Sequence, residues 1–274
     1  SADLGLVLPD LKGQLLRGDL SASGNLEAVE LRGQWQARLP EVGDSLVQAE
    51  LKLSRDRLQL QQLRVTQKAT GAELELTGTV DQLQQIPRVA LQGQWHNLGY
   101  PLQGNVLVRS SKGQVQVQGT LTDYQLLMDA ALSGPDIPAG QWHLQARGGE
   151  QGLSPFSLTG EALGGQLQAE GQVSWLPQVS WQLALNTQQL NPGVHWPEWP
   201  ASLDINARVS GALSDKQPLQ VTAELQRLSG TLRGESLEGS AHLELQGSEL
   251  QIQRLKLLAA GAKLQADGVL GELE

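Results

Sequence analysis

The chain has 274 residues and a formal net charge of −9, with 20 Lys and Arg against 29 Asp and Glu, and no cysteine. Its basic residues are scattered singly, so we expect no nucleic-acid partner. Because the chain has no cysteine, disulfides and thiolate metal sites are excluded. No stretch approaches 18 consecutive apolar residues, so the sequence predicts no transmembrane helix.

Apolar and polar residues alternate along the chain, as in Leu74-Glu75-Leu76. This period of two indicates strands with one apolar and one polar face. Residues 81–86, before Pro87, are predicted to form one helical turn. The clearest predicted strands, in chain order, are 46–53, 73–80, 104–109, 114–121, 124–132, 141–147, 166–173, 179–185, 202–209, 219–226, 240–246 and 262–268.

Turn signals recur roughly every 8–15 residues and predict short antiparallel strands joined by hairpins. Gly-Gln steps such as Gly93-Gln94-Trp95 form a loose repeat, which indicates stacked strand–turn units. We therefore expect one continuous domain over 1–274, an internal fragment of a larger protein. The predicted turn glycines include Gly71, Gly78, Gly99, Gly113, Gly119, Gly134, Gly211, Gly230, Gly247 and Gly261.

The predicted fold is all-β: a long, coiled, mostly antiparallel β-taco, a folded sheet that encloses an apolar groove, with few or no helices. An apolar sheet face must be covered by a second sheet, by barrel closure or by a ligand. Aromatic residues make up only 4% of the chain. This Leu/Val/Ala-rich face suits an open trough at least as well as a close-packed core.

Motifs for catalysis and cofactor binding are missing. There is no Gly-x-Gly phosphate loop and no Gly-x-Ser-x-Gly elbow, and the four histidines have no metal-ligand spacing. His143 and His242 are predicted to lie on the polar face. We expect no enzyme activity, no catalytic residues, no metal and no cofactor.

The tryptophans at apolar positions allow two interpretations. Trp95, Trp142, Trp175 and Trp181 either fill the core or contact the apolar chain of a ligand. The first interpretation is favoured.

A lipid conduit is the function that this pattern favours. A continuous apolar groove needs many strands and one uncharged apolar face, and no single residue in it has to be special. The residues predicted to line the groove share the apolar phase of their strands; they are Leu51, Leu53, Leu74, Leu76, Val115, Val117, Leu183, Leu185, Leu203, Ile205, Leu243, Leu245 and Leu264.

A proline- and tryptophan-rich segment interrupts the alternation. Leu190-Asn191-Pro192-Gly193 is followed by Trp196-Pro197-Glu198-Trp199-Pro200, and Gly230-Thr231-Leu232-Arg233-Gly234 comes later. This pattern resembles the TamB family (translocation and assembly module subunit) of the AsmA-like superfamily. Asn191, Pro192, Trp196, Pro197, Trp199 and Pro200 are predicted to form a structural motif. Trp196 and Trp199 either plug a crossover or gate the groove, and the plug is favoured.

The resemblance implies a periplasmic protein that bridges the inner and outer membranes of a Gram-negative bacterium. It implies a groove that carries phospholipid, an inner-membrane anchor absent from this sequence, and TamA, an outer-membrane assembly-factor barrel, as a partner. The alternative is a protein-binding scaffold that assists outer-membrane protein and autotransporter assembly by β-augmentation.

Overall fold

The computed structural model describes residues 2–3, 14–25, 27–39, 42–102, 104–214 and 217–271. These residues form antiparallel strands and a single 3-10 turn at Pro192–Val194, so the predicted all-β class is confirmed. The chain divides into two compact units, Ser1–Ala139 and Gly140–Glu274. The single continuous repeat segment stays a prediction.

The first unit is a series of antiparallel strands in which each strand pairs with the next in sequence. Hairpins connect the strands because turn residues separate each alternating run. The strands are β1 (Ala2–Asp3), β2 (Gln14–Gly24), β3 (Ala28–Leu39), β4 (Gly43–Ser54), β5 (Arg57–Gln67), β6 (Glu73–Asp81), β7 (Arg88–Tyr100), β8 (Val108–Gly119) and β9 (Tyr124–Ser133).

The second unit repeats this sequential antiparallel pairing. Its longest strand has 16 residues, whereas strands in globular proteins usually have about 3–10. The strands are β10 (Gly140–Gly149), β11 (Gly152–Ala162), β12 (Gly165–Ser174), β13 (Val179–Leu190), β14 (Ala201–Ser214), β15 (Gln217–Leu232), β16 (Glu235–Gln246), β17 (Glu249–Ala259) and β18 (Ala262–Leu270).

Most predicted strands coincide with observed ones, and two need correction. The predicted strands 104–109 and 114–121 belong to one strand, β8, which begins at Val108. The prediction of a helical turn before Pro87 is wrong: Asp81 still belongs to β6, Gln82 has a φ of +60°, and the segment is a non-helical turn in which the Gln85 amide donates to the Gln82 carbonyl at 3.0 Å.

Several glycines that were predicted to mark turns lie inside strands instead. Gly78, for example, belongs to β6, where φ is +144° and a Cβ would lie 2.1 Å from the carbonyl oxygen of Ala90. Only glycine tolerates that conformation and that close approach of the neighbouring strand. The turn prediction is therefore wrong for Gly78, Gly99, Gly113, Gly119, Gly211 and Gly230.

Candidate functional site

Apolar residues of the first unit line up across the sheet in four rows. Residues directly opposite each other in antiparallel strands point to the same side, so the register of β2–β9 defines rows that run across the strands. Every member is apolar, aromatic or glycine. Row A is Gly24, Val29, Leu53, Leu58, Val80, Val89, Gly119 and Tyr124; row B is Ala22, Leu31, Leu51, Leu60, Gly78, Leu91, Val117 and Leu126; row C is Leu20, Gly33, Ala49, Leu63, Leu76, Gly93, Val115 and Met128; row D is Gly18, Trp35, Val47, Val65, Leu74, Trp95, Gly113 and Ala130.

A bulge keeps β5 in phase with its neighbours. Gln61 and Gln62 separate Leu60 from Leu63, so strict alternation would turn Leu63 to the polar face. The pairing shifts register at this point, with Leu60 opposite Gly78 and Leu63 opposite Leu76. The extra residue therefore preserves the apolar rows where the sequence pattern slips.

The second unit carries equivalent rows over β10–β18. Every member of these rows is apolar, aromatic or glycine except Thr187. The buried Thr187 hydroxyl is paired, because its Oγ1 accepts a hydrogen bond from the Ile205 amide at 3.0 Å. Row E is Gly148, Leu153, Val173, Trp181, Gly211, Val221, Leu245, Leu250 and Leu270; row F is Ala146, Phe156, Gly171, Leu183, Val209, Ala223, Leu243, Ile252 and Gly268; row G is Leu144, Leu158, Ala169, Leu185, Ala207, Leu225, Ala241, Leu255 and Ala266; row H is Trp142, Gly160, Leu167, Thr187, Ile205, Leu228, Gly239, Leu257 and Leu264; the shorter row I is Leu190, Leu203, Gly230, Leu237, Ala259 and Ala262.

All thirteen residues predicted to line a groove belong to these rows. Leu51, Leu53, Leu74, Leu76, Val115 and Val117 lie in rows A to D, and Leu183, Leu185, Leu203, Ile205, Leu243, Leu245 and Leu264 lie in rows E to I. Their shared face is an observation, and lipid contact stays a prediction. The sequence-based prediction omitted row members that follow a β-bulge, such as Leu63 and Leu257. The two consecutive polar residues at each bulge were the signal in the sequence that could have revealed them.

The apolar face lacks the deep burial of a close-packed core. Among the residues described, buried apolar side chains number eight, and six of these are alanines. The leucines and valines of the rows are mostly half-buried, and Leu53 and Leu264 are 42% and 53% exposed. A core between two packed layers would bury such side chains completely. The face can therefore accept an apolar ligand.

The indole rings of three tryptophans lie against glycines of the facing strand. A Cβ at Gly113 would lie 2.1 Å from Cζ2 of Trp95, and Gly160 and Gly211 stand in the same relation to Trp142 and Trp181. Each indole covers exposed backbone, as aromatic residues do beside strand glycines. This geometry supports the core-filling interpretation for these three tryptophans.

The structure also shows where Trp175 and the two histidines predicted on the polar face lie. Trp175 lies beyond the end of β12, where its Nε1 donates to the Glu150 carbonyl at 2.8 Å. His242 lies 3.2 Å, Nε2 to Oε1, from Glu244 on the polar face, and His143 is exposed on that face. The polar-face prediction is therefore confirmed for both histidines.

The polar face of the first unit carries a hydrogen-bonded ladder centred on Glu75. Its carboxylate accepts from Gln62 Nε2 at 2.7 Å and from Gln94 Nε2 at 2.9 Å, and Arg64 lies 3.3 Å away. These donors, Gln62 first and then Gln94, hold the pKa of Glu75 below its ordinary value of 4.5. The charged carboxylate therefore stabilises the ladder.

The Glu75 ladder predicts an acid-sensitive contribution to stability. Since the folded-state pKa is lowered, the contribution is present above pH 4.5 and is lost as the pH falls through the folded-state value. Glu75→Gln should flatten the decline of the urea midpoint between pH 5 and pH 3. Glu161→Gln, at an exposed position of β11, serves as the control, and an equally steep decline in both variants would contradict the prediction.

The proline- and tryptophan-rich segment forms the hairpin connection between β13 and β14. These strands are hydrogen-bonded neighbours, so the segment does not cross between sheets as a crossover plug would. Asn191 Oδ1 accepts from the Gly193 and Ala201 amides, each at 3.0 Å, and thereby holds both ends of the loop. Pro192 begins the 3-10 turn, and Pro197 and Pro200 follow it.

Both tryptophans of this loop are exposed. Trp196 makes an edge contact with His195, and the Arg233 guanidinium lies 5.2 Å from the ring centroid of Trp199. Arg233 Nε also donates to the Glu198 carbonyl at 3.1 Å. The loop is thus internally braced while its rings face solvent, and a gating role stays a prediction.

Neither metal clusters nor spanning helices occur in the described part of the chain. No three His, Asp or Glu residues there come close enough together to hold an ion. No helix among those residues is long and apolar enough to cross a bilayer.

Sequentially paired antiparallel strands with continuous apolar rows define this chain as an all-β protein built from one-sided sheets. Residues 71–274 match the family described as TamB, N-terminal domain, and the chain therefore belongs to the TamB family. This family is a transport and assembly component of the Gram-negative envelope, where it acts with TamA in outer-membrane assembly. No solved structure matches the chain.

Proposed function

We propose that the apolar face of this chain is a non-enzymatic conduit for phospholipid acyl chains. The observation that supports it is the continuity of rows A to D and of rows E to I, which carry no charge and leave large side chains half-buried. A lipid tail offers only apolar surface, so it needs a surface of this kind and no specific polar contact.

The energetics favour such a surface. A diacyl phospholipid exposes about 30 methylenes in water, which costs on the order of 20–25 kcal/mol at roughly 0.8 kcal/mol for each. A groove that covers most of this area removes most of the barrier to transfer between membranes. Because the rows continue from strand to strand, a tail can move along them without leaving apolar surroundings.

Within the envelope, this conduit would carry phospholipid across the periplasm and support outer-membrane assembly together with TamA. Membership of the TamB family supports this placement.

Photo-crosslinking tests the conduit directly. A crosslinking residue at Ile205 in row H or at Leu243 in row F should give phospholipid adducts, because both lie on the apolar face. The same residue at Glu244, on the polar face of β16, is the matched control. Equal adducts at Glu244 would overturn the proposal, as would the absence of lipid in native mass spectra of the purified chain.

The alternative function, β-augmentation of unfolded outer-membrane strands, predicts a different result. Backbone groups at a strand edge would then make the contacts. Capture of barrel-derived peptides by lipid-free protein, with no lipid adduct at either apolar position, would favour the scaffold.

A further inference from the structure

The connection between β13 and β14 exposes large apolar side chains on a stiff backbone. We call residues 191–200 the tryptophan loop. Val194, Trp196 and Trp199 are 64%, 41% and 52% exposed. The loop contains three prolines and a 3-10 turn, which restrict its backbone. These side chains are therefore presented to solvent at little further cost in conformational entropy on binding.

The backbone of the tryptophan loop satisfies its own hydrogen-bond donors. Its three prolines have no N–H group. The other seven residues each have an amide, and six of these amides donate to acceptors in the chain. The Asn191 amide donates to the Leu163 carbonyl at 2.9 Å, and the other five donate within the loop at 2.8 to 3.1 Å. A backbone that touches lipid has to satisfy its polar groups internally, and this loop does so.

The indoles of the tryptophan loop differ from that of Trp175, the other exposed tryptophan of this unit. Trp175 Nε1 donates to the Glu150 carbonyl at 2.8 Å. Within the described part of the chain, neither Trp196 nor Trp199 meets an acceptor with its Nε1 hydrogen. An indole combines a large apolar ring with one polar N–H, which is why tryptophan concentrates where a bilayer meets water.

The charges beside the loop favour a shallow contact with an uncharged surface. The Arg233 guanidinium lies 5.2 Å from the Trp199 ring centroid, and Arg233 Nε donates to the Glu198 carbonyl at 3.1 Å. Glu198 and Glu235 together outnumber this single cation, so an anionic surface is not favoured. A carboxylate between the two tryptophans also prevents deep entry into hydrocarbon.

The exposed area is too small for a stable protein interface. Fully buried aromatic side chains cover about 150–250 Å² each, so three half-exposed apolar side chains offer roughly 300 Å². A stable interface takes about 800 Å² from each partner. A bilayer sets no such minimum, because a few interfacial side chains partition into it independently.

We propose that the tryptophan loop contacts the headgroup layer of a zwitterionic phospholipid bilayer, with Val194, Trp196 and Trp199 as the contacting side chains. The contact goes beyond the proposed conduit and does not rest on it, because it uses a loop at one end of the strands and none of the apolar rows. It makes one end of the second unit the part that meets a membrane surface.

A fluorescent label tests this contact on the full chain. The chain has no cysteine, so Val194→Cys provides a single site for an environment-sensitive fluorophore. Vesicles of phosphatidylcholine and phosphatidylethanolamine should raise its emission and shift it to the blue. A nitroxide near the lipid headgroup should quench it more than a nitroxide at the end of an acyl chain.

The matched labelling control is Leu176→Cys. Leu176 is 53% exposed in the turn before β13, at the opposite end of that strand from the tryptophan loop. Its label should change little when the same vesicles are added. An unchanged signal at position 194, or an equal change at both positions, would overturn the proposal.

A tryptophan variant supplies the second measurement. Trp196→Ala with Trp199→Ala should weaken flotation with these vesicles at least about tenfold, with little dependence on salt. Trp175→Ala is the control and should bind within about twofold of the original chain, because its ring lies outside the loop. Equal losses, or full binding by the double variant, would contradict the contact. Circular dichroism checks that both variants remain folded.

Sedimentation velocity without vesicles examines the rival occupant, a second copy of the chain. The proposal expects no self-association that depends on Trp196 and Trp199. Self-association that the double variant abolishes, together with no flotation of the original chain, would show that another copy covers the loop and would overturn the bilayer contact.

Discussion

Leu243→Arg is expected to lower phospholipid binding about 100-fold while the chain stays folded. Leu243 lies inside row F, opposite Ala223 and Ile252, so a guanidinium there would enter the apolar face. A charged side chain in a hydrocarbon environment costs about 3 kcal/mol, which corresponds to roughly two powers of ten in affinity. The measurement is equilibrium binding of a fluorescent phospholipid, followed by transfer between donor and acceptor vesicles.

The control for Leu243→Arg adds the same charge to the other face. Gln251 precedes Ile252 in β17 and is exposed on the polar side of the sheet. Gln251→Arg should therefore leave lipid binding within about twofold of the original chain. If Leu243→Arg binds and transfers lipid normally, the apolar face is not the path.

Gly113→Ala is expected to destabilise the first unit by about 2–3 kcal/mol, the upper part of the range for overpacked interiors. The added methyl would lie 2.1 Å from Cζ2 and 2.3 Å from Cε2 of Trp95, and 2.8 Å from the Asp129 carbonyl oxygen. The indole cannot yield freely, because its Nε1 is bonded to Ser110. A lower urea midpoint, together with red-shifted tryptophan emission, would report the displaced ring.

The matched control is Gly99→Ala in the adjoining strand β7. There the nearest atoms are methyl carbons of Val106 at 3.1 and 3.2 Å, which can shift by a few tenths of an ångström. We expect a change of less than about 1 kcal/mol. Similar midpoints for both variants would show that the contact between Trp95 and Gly113 is not important for stability.

The strand period was readable from the sequence because one face is apolar and the other is polar throughout. The groove-lining prediction for Leu74 and Val115 needed only that alternation, and both side chains lie on the apolar face. What alternation could not reveal was register. Row C joins Leu63 to Leu76 only through the bulge at Gln61 and Gln62, which depends on pairing with the neighbouring strand.

Glycine was ambiguous for a physical reason. It is common both in turns and where a strand passes close beneath a large side chain, and the sequence does not distinguish these uses. Gly71 lies in a turn, whereas Gly113 lies beneath an indole ring.

Sequential pairing has a kinetic consequence for biogenesis. From β2 to β9, and again from β10 to β18, each strand can dock on the one synthesised just before it. Contacts between near neighbours close short loops and form quickly, and a stack of such units can grow from one end. A chain of this kind can fold strand by strand as it emerges from a secretion channel, without waiting for its distant C-terminal half.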